Sequence, residues 1–221
     1  MKNSKVSIAV AVTLMLLPCI YLAKVYNALP QVVPTHFRMD GTPSDYNDKS
    51  VLALGILLMT LVGLGTFFLL RNIKRIDPKK TAQYNGGVFS KIGMAIIVLI
   101  SILSIMVIQS TVDKRFDYTR ILLPLLGIFF AFMGNLFYSI KPNYFVGLRL
   151  PWTLESEDNW RKTHQLAGKT MFAGGLLLAI SSLLLGNHFP DYLLPVIIVT
   201  IVLIPSVYSF VEFKRTQQSK L

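Results

Sequence analysis

Six apolar runs, at residues 6–23, 51–70, 92–111, 121–140, 170–186 and 192–211, limit what this chain can fold into more than any motif does. Each is near the ~20 residues an α-helix needs to cross ~30 Å of hydrocarbon, the fifth being the shortest. Lipid offers backbone N–H and C=O groups no partner, so each run must satisfy them within its own helix. The fold class expected is therefore all-α: a polytopic integral membrane protein built as a six-transmembrane-helix bundle. Hydrophobic residues make up 53% of the chain and charged residues only 15%, which excludes an ordinary soluble domain. Pro18, Pro124, Pro195 and Pro205 are expected as kinks or end-of-helix features that neighbouring helices absorb.

A formal charge of +11 invites a nucleic-acid reading, but the distribution of the charge argues against direct nucleic-acid binding. Sixteen of the 22 basic residues fall in the two termini and the even-numbered connections, five fall in the odd-numbered ones, and Lys24 sits at the outer end of the first span. Basic residues accumulate on the cytoplasmic side, so both termini and the connection between the fourth and fifth spans are expected inside the cell. The first apolar run is longer than the core of a secretory signal and lacks a small-residue cleavage site, which predicts an uncleaved span. Cys19, the single cysteine, has no intramolecular partner and reads as a small packing residue.

The organisation expected has three parts. Residues 1–70 hold two spans and an extracellular connection at 27–50, residues 71–111 a basic loop and the third span, and residues 112–221 the last three spans with a structured cytoplasmic loop at 141–169. In the outer connection Pro30, Pro34 and Pro43 exclude a continuous helix. Thr35 to Met39 followed by Asp40-Gly41 predicts a strand entering a tight turn, hence a small β-hairpin or ordered cap. His36, Arg38 and Asp40 are the candidate ligand-binding residues there, against the plainer reading of a solvated turn. The cations of the loop at 71–91 are accounted for by topology and by anionic lipid, and the outer loop at 112–120 reads as solvated surface. Asn135, near the inner end of the fourth span, is a candidate helix–helix contact through its amide.

The loop at 141–169 is longer and more varied than a tether requires, and it carries both tryptophans. Pro142 and Pro151 are expected to hold residues 143–153 extended or turned, with Gly147 taking a geometry other residues resist. A helix is predicted from Ser156, its N-cap, with Glu157 and Asp158 at its positive end. Glu157–Arg161 and Asp158–Lys162 have the spacing of supporting ion pairs. Trp160, His164 and Ala167 share one face, expected to lie against the membrane interface. Asn143, Gly147, Arg149, Pro151, Trp152, Thr153, Trp160 and His164 are the candidate signalling or partner-binding residues. No HExxH, cysteine cluster or G-x-S-x-G is present, and the three histidines are dispersed, so no catalytic residue, metal or cofactor is expected.

Asn143, Gly147-Leu148-Arg149, Pro151-Trp152-Thr153-Leu154, Trp160, Thr163-His164 and Ala167-Gly168 together resemble the signature of the SdpI family of bacterial toxin-immunity membrane proteins. Leu29-Pro30, Val33-Pro34, His36-Phe37 and Gly41-Thr42-Pro43 resemble the small domain of unknown function that accompanies this family's first two spans. The resemblance implies a multi-pass protein of the bacterial cell membrane that protects against a secreted, pore-forming or depolarising peptide toxin. It also implies, by analogy with the family's named member, signalling in which a cytoplasmic transcriptional repressor is held at the membrane. The competing reading is a small-solute or peptide transporter built on an inverted repeat. Against it, all eleven acidic residues lie outside the spans or at their ends, whereas ion-coupled carriers keep ionisable groups in the membrane interior.

Overall fold

The computed structural model describes residues 3–38, 43–76, 86–113, 115–186 and 192–218. Asp40 and Gly41, the basic loop at 77–85 and the loop at 187–191 lie outside the described residues. In chain order the elements are α1 (Asn3–Val25), a 3-10 turn (Tyr26–Ala28), β1 (Val32–Phe37), β2 (Pro43–Asp48), α2 (Lys49–Ile76), α3 (Gly86–Val112), α4 (Thr119–Phe137), α5 (Pro151–Glu155), α6 (Glu157–Leu185) and α7 (Leu193–Gln218). All the helices but α5 are long and apolar enough to cross a membrane, which makes six spans. Pro18, Pro124 and Pro205 lie inside helices, and Pro195 stands in the first turn of α7.

The chain forms two compact units, one of residues 1–71 with 93–122 and one of 72–92 with 123–221. This division cuts across the 71–111 segment, because α3 from Gly93 onward joins the unit of α1 and α2. In the first unit Ala11, Met15, Phe67 and Ile97 form one buried cluster. Leu22, Leu29, Val33, Leu52, Ile56 and Ile108 form another, next to the hairpin. Polar side chains tie the same helices together: the Ser101 hydroxyl donates to the Leu14 carbonyl at 2.6 Å and the Tyr21 hydroxyl to Gln109 Oε1 at 2.5 Å. Cys19 is half-buried, with Sγ 3.4 Å from Thr60 Oγ1.

The hairpin forms where the prolines forbid helix. β1 and β2 pair antiparallel, with Val32 opposite Asp48, Val33 opposite Asn47 and Pro34 opposite Tyr46, and the register shifts beyond Pro34. Val33 drops into the cluster below and anchors the sheet. Asp48 closes the hairpin by capping α2: its Oδ1 accepts the Ser50 N–H at 2.8 Å and its Oδ2 the Gln31 amide at 2.5 Å. The Ser50 N–H first, then the Ser50 hydroxyl and the Gln31 amide, hold the Asp48 carboxyl below its usual range.

In the second unit α4 and α6 meet backbone to backbone. A Cβ at Gly127 would fall 2.5 Å from Ala179 N and 2.6 Å from Gly175 O. One at Gly134 would fall 2.5 Å from Phe172 N and 2.6 Å from Gly168 O. Gly168 and Gly175 answer in kind, a Cβ on them reaching 2.7 Å from Gly134 O and 2.4 Å from Ala131 N. Glycines seven residues apart on each helix thus interlock, which is how helices gain contact where lipid gives no hydrophobic drive to associate. On α6 and α7, Leu178, Leu194, Ile197 and Ile201 make the adjoining apolar cluster.

Sequence reasoning placed a cytoplasmic helix from Ser156 and a separate span from residue 170, but the structure has one helix, Glu157–Leu185. Nothing between them breaks a helix, and Gly168 serves the contact with α4 rather than ending a turn.

Candidate functional site

The polar stretch leaving α4 folds back over the first two turns of α6, and the α4–α6 contact sets the distance it must bridge. Asn143 organises the return. Its buried Oδ1 accepts the N–H groups of Phe145 and Val146, both at 2.8 Å. Its Nδ2 donates to the carbonyls of Lys141 at 3.0 Å and Val146 at 2.9 Å. One side-chain amide thereby satisfies four backbone groups that a non-helical loop would otherwise leave unpaired.

Gly147 follows with φ +128°, a conformation that side chains oppose. A Cβ there would also lie 2.4 Å from His164 Nε2 and 3.0 Å from Trp160 Cη2. The bare backbone lets the Leu148 N–H reach His164 Nε2 at 2.9 Å. Because Nε2 accepts, the imidazole is the neutral tautomer with its proton on Nδ1, which donates to the Trp160 carbonyl at 2.8 Å. With both ring nitrogens engaged by the backbone, His164 has no lone pair to offer a metal. Its ring stacks on Trp160 at 4.0 Å and 19°.

Trp160 itself is 1% exposed, and its Nε1 donates to the Ile140 carbonyl at 3.0 Å. The expected place of Trp160 at the membrane interface is therefore corrected. The indole is core, because the α4 end offers its N–H an acceptor that lipid would not. Of the two conformations expected over residues 143–153, extended or turned, the chain takes the turned one from Pro151: residues 151–155 are a helical turn with Pro151 at its start, and the Thr153 hydroxyl closes it by accepting the Leu150 N–H at 3.0 Å.

A third element locks this turn. Trp152 Nε1 donates to the Ser209 hydroxyl of α7, and the indole packs against Phe210 and Phe213 with ring centroids 5.1 and 6.4 Å away. Asn159 Nδ2 donates to the Ser209 carbonyl at 3.0 Å, while Asn159 Oδ1 accepts the Thr163 hydroxyl at 2.9 Å. Ser156 caps α6 as predicted, accepting the Asn159 N–H at 3.2 Å. Asp158 pairs with both Arg161 and Lys162, and Lys162 also reaches Glu212 on α7 at 2.5 Å. The expected Glu157–Arg161 pair is replaced by the shorter Asp158–Arg161 contact at 2.5 Å. A 210 Å³ cleft lined by Glu155, Ser156, Asn159, Phe213, Thr216 and Gln217 opens alongside.

Of the eight candidates in this loop, Asn143, Thr153, Trp160 and His164 are buried, Gly147 and Trp152 are half-buried, and Arg149 and Pro151 are exposed. Arg149 lies over the Tyr144 ring at 5.6 Å. Asn135 is exposed on α4, since the face turned to α6 belongs to Gly134, its neighbour one step of ~100° away. In the first unit, His36 is exposed, 3.7 Å from Asp45, and the Arg38 carbonyl accepts the Tyr118 hydroxyl at 2.6 Å. Sequence reasoning missed Ser209, Asn159 and the four interlocking glycines. The seven-residue spacing of Gly127/Gly134 and of Gly168/Gly175 was the signal available for the glycines.

Six spans and a loop folded back on its own helix define a multi-pass membrane protein whose most elaborate element is a packed polar return. Residues 139–209 match the SdpI/YfhL protein family, and the match ends on Ser209, the residue that anchors Trp152 and Asn159. Residues 13–61 match a domain of unknown function, DUF1648. The chain is 25% identical over 220 residues to the Immunity protein SdpI of Bacillus subtilis (strain 168), an alignment that covers all of both chains. No solved structure is significantly similar to it.

Proposed function

We propose that this protein is a membrane immunity protein that protects a bacterium against a secreted, membrane-active peptide. The full-length similarity to the Immunity protein SdpI carries the reading. Counting spans from a cytoplasmic N-terminus puts the hairpin outside and the loop at 138–156 inside, so a peptide arriving from the environment meets the hairpin. Signalling to a cytoplasmic repressor uses the loop's exposed residues. Arg149 and Pro151 are available to such a partner, whereas Trp160 and His164 act only by holding the loop in shape.

Deletion of the gene, tested against a panel of membrane-active peptides, is expected to lower the inhibitory concentration of at least one peptide fourfold or more, with recovery on expression of the intact chain. Unchanged survival across the panel would overturn the immunity reading. In the same strain, Arg149→Ala at normal membrane levels is expected to keep protection and lose induction of neighbouring genes. Retained induction would remove the repressor from the proposal.

A further inference from the structure

The two edges of the hairpin are not equivalent. The Lys49 N–H donates to the Gln31 carbonyl at 2.9 Å. With Val32 opposite Asp48 and Pro34 opposite Tyr46, that bond fixes the alternation of the ladder. Val33 and Asn47 exchange the inward hydrogen bonds, and the main-chain groups of Val32, Pro34, Tyr46 and Asp48 point away from the partner strand. On β1 the outward row is broken by Pro34, which has no N–H to give, and beyond the strand's end the Arg38 carbonyl is occupied by the Tyr118 hydroxyl. On β2 the Tyr46 N–H and C=O and the Asp48 N–H face outward. No hydrogen bond to them is found among the described residues.

The surroundings of this edge have a definite chemistry. Residues 43–47 are all exposed, Tyr46 at 61%. On the same face stand Val32, 58% exposed, and Pro34, directly opposite Tyr46. β2 carries two carboxylates, Asp45 and Asp48, and no cation, while the adjacent Lys49 ammonium is turned back onto the carbonyls of Tyr26 and Leu29. An unpaired strand with an aromatic platform and a negative charge fits an extended peptide that alternates apolar and cationic residues.

We propose that the outer edge of β2 takes up an extended segment of a cationic secreted peptide as a third strand, bonded through the Tyr46 N–H and C=O, packed on Tyr46 and matched in charge by Asp45 and Asp48. This deepens the immunity reading and rests on it for the peptide's origin, but binding at the edge is testable without it.

The probe is a fluorescein-labelled (Val-Lys)5 peptide, with (Pro-Lys)5 of equal charge as its comparison, titrated onto the full chain in phosphatidylcholine nanodiscs and followed by anisotropy. Strand addition predicts that (Val-Lys)5 binds at least tenfold more tightly than (Pro-Lys)5, a comparison that needs no variant. Tyr46→Pro removes the outward N–H while keeping the inward ladder, as Pro34 already does across the sheet. It is expected to weaken (Val-Lys)5 tenfold or more, against no more than threefold for Tyr46→Val and about threefold for Asp45→Asn. Absence of (Val-Lys)5 binding, equal binding of the two peptides, or Tyr46→Pro binding like Tyr46→Val overturns the proposal. In cells, Tyr46→Pro that protects as well as the native chain sinks the edge and spares the immunity reading. Expected binding with no protection by the native chain does the reverse.

Discussion

Asn143 and Gly147 show how two residues fix a loop that has no regular structure. One amide serves four backbone groups, and one missing Cβ lets the main chain reach an imidazole. Gly147→Ala must leave its positive φ and also displace His164, so thermal unfolding in detergent micelles is expected to show a loss of about 2 kcal/mol or more. Asn143→Ala leaves the half-buried N–H groups of Phe145 and Val146 unpaired and is expected to cost a similar ~2 kcal/mol, with Asn143→Asp, which keeps the accepting oxygen, in between. A native-like midpoint for both Gly147→Ala and Asn143→Ala would show that the loop is not held this way. That Gly147 needed a special geometry was legible in the sequence, since glycine between two prolines has few other uses. The direction taken by Trp160 was not. An indole faces either lipid or core according to where an acceptor lies, and the acceptor is a carbonyl twenty residues away.

Among the elements, the spans and the hairpin were legible because hydropathy and proline placement are local properties. The tie from α5 to α7 was not, because it depends on residues far apart in sequence meeting in space, and the continuity of α6 was hidden by the change from polar to apolar composition along a stretch that holds no helix breaker. The α4–α6 interlock gives a direct contrast. Gly134→Leu forces two backbones apart and should markedly lower the unfolding midpoint. Gly65→Ala, at a position with nothing within 4 Å, should leave the midpoint unchanged or raise it through a gain in helix propensity of up to ~1 kcal/mol. Equal effects of the two would refute the close crossing. The hairpin–α2 junction carries a pH signature. With the Asp48 carboxyl held below its ordinary value, its contribution is complete above the usual carboxylate range of ~4 and is lost as pH falls through the lowered value. Asp48→Asn keeps a cap that does not titrate. Its midpoint is expected to fall less than that of the native chain between about pH 5 and 3.

For the whole molecule, the distribution of basic residues predicts which end of each span faces the cytoplasm. In a Cys19→Ser background, His36→Cys should react with a membrane-impermeant maleimide in intact cells, and Arg149→Cys only after permeabilisation. Labelling of both from the same side would end any account in which a signal crosses the bilayer. What α7 brings to such a signal follows from Ser209, whose hydroxyl receives Trp152 and whose carbonyl receives Asn159. One residue of rotation in α7, about 100°, withdraws both acceptors together. A turn of α7 would therefore act on Trp152 and Asn159 at the same moment, while the hydrogen bonds of Asn143 and of His164, made within the loop and α6, would keep the rest of the loop in place.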